Sequence, residues 1–65
     1  MRITLNGAEK ETGVTTVEAL VAELGLKRGM VLVEHNGTAL RPDEWPQAPV
    51  AEGDHVEILR IVAGG

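Results

Sequence analysis

Cysteine is absent from this chain of 65 residues. That excludes a disulfide framework, a cysteine-ligated zinc and a thiol nucleophile. Tyrosine and phenylalanine are absent too, and Trp45 is the one aromatic residue. A core must therefore be built from Val, Leu, Ile and Ala. No apolar run approaches the roughly 20 residues of a membrane span. After Met1-Arg2 the chain reads Ile3-Thr4-Leu5-Asn6, with no apolar stretch of a secretory signal. A cytoplasmic location is the expectation. Basic residues are few: six Lys and Arg stand against ten Asp and Glu, for a net charge of -4. Nucleic acid is a poor partner for such a chain, since binding it needs a basic face to displace counterions.

Chemistry carried by side chains is also missing. The chain has no Gly-x-Ser-x-Gly elbow and no Gly-x-Gly-x-x-Gly or Walker spacing. His35 and His55 are the only imidazoles, and their positions have no ligand-like spacing, so no metal site is expected. Asp43-Glu44 and the Glu52/Asp54 pair flank turns and read as solvation charges. No catalytic residue, no metal ligand and no bound cofactor are expected. A domain this small buries only about 60% of its unfolded surface, which leaves little room for an enclosed ligand pocket.

The patterns that are present describe one small α+β domain. Asn6-Gly7 and Asn36-Gly37 each separate short alternating segments. Such a pair is the strongest local hairpin signal, because both central residues of a type I′ turn need positive φ. Strands are predicted at 2–6, 8–12, 30–34, 38–40 and 55–61. Val17, Leu20, Val21 and Leu24 fall on one face of a helix over 16–24, closed by Gly25. Thr15 and Glu18 are spaced as a capping box. Residues 41–51 hold all three prolines and Trp45 and read as an irregular loop pinned by an apolar anchor.

The order β-β-α-β-β-β lets the first and last strands pair in parallel through a right-handed crossover. The result is a β-grasp (ubiquitin-like) mixed sheet of four to five strands, with the helix on one face and the last strand in the middle. Alternation places Ile3, Leu5, Val56 and Ile58 on the helix side with Val17, Leu20 and Leu24. Leu59 and Ile61 then face away, with Leu32 nearby. One helix cannot cover both faces, so Leu32, Leu59 and Ile61 form a candidate partner surface. Two alternatives stay open: Trp45 or the proline-rich loop folding over them, or a bulge near Leu59 turning them inward.

The chain ends in Gly64-Gly65 directly after its last strand. A random pair of glycines in that place is expected in about 0.5% of chains. Two glycines give a tail able to enter a narrow channel, and Gly65 offers an unhindered acyl carbon. A domain over 1–62 and a flexible tail over 63–65 are the expected organisation.

Taken in order, several segments resemble the ThiS family, the ubiquitin-like sulfur carriers of bacterial thiamine biosynthesis. They are Ile3-Thr4-Leu5-Asn6-Gly7, Thr16-Val17 with Leu20 and Leu24-Gly25, Val33-Glu34-His35-Asn36-Gly37, Glu44-Trp45, Gly53-Asp54-His55-Val56-Glu57-Ile58 and Val62-Ala63-Gly64-Gly65. Arg41-Pro42 departs from the Pro-Arg common in the family, and Pro46 and Pro49 follow Trp45.

The resemblance implies a carrier that is not itself an enzyme. An E1-like adenylyltransferase of the ThiF type would use ATP to adenylate Gly65. A sulfur-transfer enzyme would make the thiocarboxylate, and a thiazole synthase of the ThiG type would take the sulfur. Ala63, Gly64 and Gly65 are then the reactive tail. Two related functions share fold and tail: the small subunit of molybdopterin synthase (MoaD family) and carriers serving tRNA thiolation. A β-grasp binding module with an incidental Gly-Gly is the reading of another class.

Overall fold

The computed structural model describes residues 1–61; Val62 and the expected tail lie outside the described residues. Among the described residues the strands are β1 (Arg2–Leu5), β2 (Ala8–Glu11), β3 (Val31–His35), β4 (Thr38–Leu40) and β5 (His55–Arg60), with α1 (Val17–Glu23) between β2 and β3. The sheet order is β2-β1-β5-β3-β4. β1 and β5 run parallel, and the other neighbouring strands pair antiparallel. This is the expected β-grasp arrangement, with β5 central.

Both Asn-Gly turns have the backbone that the sequence requires. Asn6 and Asn36 each have φ of 50°, and Gly7 and Gly37 have φ of 82° and 85°. Asparagine tolerates this left-handed conformation better than other residues with a side chain.

The start of α1 differs in detail from expectation. Thr16, not Thr15, is the N-cap, and its hydroxyl accepts a hydrogen bond from the Ala19 N–H at 3.1 Å. Thr15 is otherwise engaged: its carbonyl accepts from Val50 N–H at 3.0 Å, and Thr16 forms a bridge with Pro49. The returning segment thus holds this stretch extended until Thr16. Residues 28–30 are a 3₁₀ turn, so Met30 precedes β3 instead of opening it. The proline-rich segment is also more regular than foreseen. Pro42–Gln47 is a 3₁₀ helix, started by Pro42 and capped at that same end by the Glu44 carboxylate, which accepts from Arg41 N–H at 2.7 Å. Proline fits there because its missing N–H is unneeded in a first turn.

The core lies between the sheet and α1. Ile3, Val17, Leu20, Val33 and Val56 are the most deeply buried, joined by Val21, Val31, Ile58 and Trp45. Burying each Val, Leu or Ile side chain contributes about 1.5–3 kcal/mol. Leu5 and Leu24 are only partly buried. They were expected in the core, but Leu5 ends β1 and Leu24 caps α1, so each packs at the rim. Trp45 is sealed into the core from the 3₁₀ helix, and its indole N–H has no acceptor among the described residues.

Candidate functional site

β5 is held on both sides, and its alternation sorts its side chains cleanly. Val56 and Ile58 face α1 and are buried. Leu59 faces the other way and is 58% exposed, beside Leu32 at 57%. The two are register partners across β3 and β5. One step further, the Ile61 N–H donates to the Met30 carbonyl at 2.8 Å, and both residues are exposed. Leu32, Leu59, Ile61 and Met30 therefore form two adjoining aliphatic rungs on the uncovered face.

Both structural alternatives for this face fail. Trp45 lies in the core on the α1 side. The β3–β5 register runs unbroken from Val31↔Arg60 to His35↔Val56, so no bulge turns Leu59 inward. The sequence reading found Leu32, Leu59 and Ile61 but not Met30. Alternation along the predicted strand 30–34 puts Met30 on the face of Leu32, so the signal for it was present in the sequence.

The next rung on the same face pairs Glu57 with Glu34. Like charges directly opposite one another are destabilising in a sheet. This face thus carries both exposed aliphatic residues and unneutralised acids, neither of which favours folding.

Two asparagines fix the position of β5. The Asn6 carboxamide accepts from Ile58 N–H at 2.8 Å and donates to the Ile58 carbonyl at 3.1 Å. Its side chain thereby continues the β1 edge beyond Leu5. Asn36 accepts from His55 N–H at 2.8 Å through its side chain, and its own N–H donates to the His55 carbonyl at 2.7 Å. The sequence signalled both residues as turn formers only. Their second role needs the turn to lie beside a strand distant in sequence.

His35 and Asp54 add a polar tie. Their side chains meet at 2.8 Å, and Asp54 also accepts from Ala51 N–H at 2.9 Å. The hydrogen bond from His35, then that from Ala51, holds the Asp54 carboxyl below the ordinary carboxylate value, against the opposing effect of burial. This pair joins β3 to the turn entering β5. His55 does not join it: its side chain belongs to the exposed face. No group of three or more His, Asp or Glu residues able to hold a metal occurs among the described residues. No helix among them is long and apolar enough to cross a membrane.

The geometry is that of a domain whose central strand is held up to Ile61, and in the sequence Val62-Ala63-Gly64-Gly65 follow. Ala63, Gly64 and Gly65 themselves lie outside the described residues. The sequence pattern of the ThiS family matches residues 3–65, which includes them. The chain belongs to the ThiS family. The crystal structure of the thiamine biosynthesis protein ThiS from Geobacter metallireducens superposes with a TM-score of 0.83 at 32% identity, covering 100% of both chains. A solution structure of a thiamine biosynthesis protein from the same organism gives 0.81 at 30% identity, over 100% of this chain and 88% of the other. A protein of Paramagnetospirillum magneticum described as thiazole synthase is 36% identical over 66 residues. That alignment takes in 100% of this chain but 20% of the relative, so the chain spans about one fifth of its length. Family match and fold thus agree.

Proposed function

We propose that Gly65 is the atom-bearing end of this carrier: its carboxylate is adenylated, converted to a thiocarboxylate and delivered to a thiazole synthase. The observation that carries the reading is the ThiS match running through residue 65, joined to a β5 clamped between two strands immediately before it. In this reading 1–62 is the docking domain and 63–65 is the reactive tail.

The chemistry is that of an activated acyl group. A carboxylate oxygen of Gly65 attacks the α-phosphorus of ATP, releasing pyrophosphate and leaving an acyl-adenylate. The outer sulfur of a persulfide on a sulfur-transfer enzyme displaces AMP to form an acyl disulfide. A thiol then attacks the enzyme's sulfur, forming a disulfide there and releasing the thiocarboxylate. Glycine suits both steps because no side chain obstructs the acyl carbon. Beyond that terminal carboxylate the proposed chemistry uses no side chain of this chain, so it acts as a protein co-substrate and not an enzyme. It binds no cofactor; the ATP belongs to an E1-like activating enzyme of the ThiF type. Such ATP-dependent chemistry belongs in the cytoplasm.

A thiazole synthase of the ThiG type is the proposed acceptor. In support, a segment 36% identical to this chain occurs within a relative described as thiazole synthase. The aliphatic rungs Leu32, Leu59 and Ile61 are the proposed contact face for these partners, since an exposed apolar row beside the tail marks an interaction site.

Intact-mass spectrometry tests the reading. Incubated with a ThiF-type enzyme, ATP and a sulfur donor, the chain is expected to gain one sulfur for one oxygen, mapped to Gly65. An unmodified mass under conditions that charge another ThiS protein would sink it. Sulfur passed to a molybdopterin synthase large subunit and not to thiazole synthase would redirect the pathway.

A further inference from the structure

Three of the six Lys and Arg residues make ion pairs within the domain: Arg2 with Glu9 and Glu11, Lys10 with Glu23, and Arg41 with Asp43. The other three, Lys27, Arg28 and Arg60, make none among the described residues. All three are exposed, and all gather at one end of the molecule. Arg60 is the register partner of Val31, which directly follows the turn carrying Lys27 and Arg28. Met30 N–H donates to the Lys27 carbonyl at 3.0 Å, and Met30 in turn accepts from Ile61. Lys27 and Arg60 line one depression with Leu26; Arg28 lines a neighbouring one, again with Leu26. Lys27 and Arg60 thus share a depression at the end of β5, and Arg28 lies in the adjoining one, which Glu18 also lines.

This placement runs against the composition. The chain is acidic overall at -4, yet the end of β5 and the turn beside it carry three cations that make no ion pair among the described residues. Arg60 shares the α1 side of β5 with Val56 and Ile58, whereas Leu59 and Ile61 point the other way. The tail root thus has a cationic side and an aliphatic side. Five residues separate Arg60 from Gly65. Fully extended they span at most about 17 Å. An inserted tail would thus leave the cations at the mouth of a channel, away from the ATP at its far end.

Resting on the proposed carrier function, we infer that Lys27, Arg28 and Arg60 form a steering collar, whose partner is an acidic rim around the tail entrance of the activating enzyme. Charge of this kind accelerates encounter and fixes orientation more than it adds to final affinity. The activating enzyme is the partner that must capture each free carrier from solution and release it again, so encounter rate bears directly on its turnover.

The test compares Arg60→Glu with Arg41→Glu, which have the same net charge but differ in place. Circular dichroism first establishes that both fold. Charging by a ThiF-type enzyme is then followed by intact mass against carrier and salt concentration. For Arg60→Glu, kcat/KM is expected to fall about tenfold at low salt with kcat at saturation unchanged. Arg41→Glu should match wild type, and raising salt should narrow the difference. Lys27→Glu/Arg28→Glu should reproduce the loss from a different element, whatever the folding of Arg60→Glu. Equal effects of Arg60→Glu and Arg41→Glu, or no salt dependence while wild type charges normally, would overturn the collar. A loss confined to sulfur delivery to thiazole synthase would overturn the choice of partner. Wild-type protein that no activating enzyme charges would overturn the carrier reading itself, and the collar with it.

Discussion

Asp54 shows how much one exposed-looking turn residue can hold. Its carboxylate takes the His35 ring and the Ala51 N–H together, closing the turn that launches β5. Those donors favour the charged form, so the folded protein holds this carboxyl below the ordinary value of 3.8. The sign follows from linkage. A depressed folded value contributes stability above the unfolded value, and that stability is lost as pH falls through the folded one. Asp54→Asn should therefore be less stable than wild type near neutrality, and the gap should close as pH drops below about 4. Urea unfolding at stepped pH measures it. A gap that stays constant through the acid range would show that the charge of Asp54 contributes nothing.

At the scale of the element, β5 does two things with one alternation. Ile58 is 7% exposed and Leu59 is 58% exposed, one residue apart. Ile58→Asp should leave no folded domain, because it buries a charge without a partner. Leu59→Asp should cost about 1 kcal/mol or less. It should nonetheless weaken binding to the activating enzyme or thiazole synthase in a titration. Loss of folding in Leu59→Asp would refute the face assignment.

The faces of β5 and both Asn-Gly turns were legible in the sequence because each depends on local pattern, and the parallel β1–β5 pairing because it follows from the order of the elements and the handedness of the crossover. The N-cap at Thr16 was not legible. It depends on Val50 and Pro49 returning beside Thr15 and Thr16, which no local pattern encodes. The grip of Asn6 on Ile58 escaped for the same reason, as did the gathering of Lys27 and Arg28 with Arg60. Each joins residues that only the closed sheet brings together. Gly64-Gly65 was read from composition and position, and it lies outside the described residues.

At the scale of the whole molecule, the proposed function puts the chemistry on residues apart from those that hold the fold. Among the described residues, the core ends at Ile58 and the last strand contact is that of Ile61 with Met30. The proposed chemistry lies four residues further, at Gly65. Deleting Gly65 should therefore leave the melting temperature within about 3 °C of wild type, the range expected for a change outside the core. Charging should still be lost, although the shortened chain ends in glycine as before. Removing one residue withdraws the carboxylate by about 3.3 Å. A reactive group misplaced by even about 1 Å can lose roughly a hundredfold in rate. Intact mass after incubation with the activating enzyme reads the outcome beside a thermal melt. Continued charging on Gly64 would show that the reach of the tail is not what selects Gly65. A large fall in melting temperature would show that the two sets of residues are not separate.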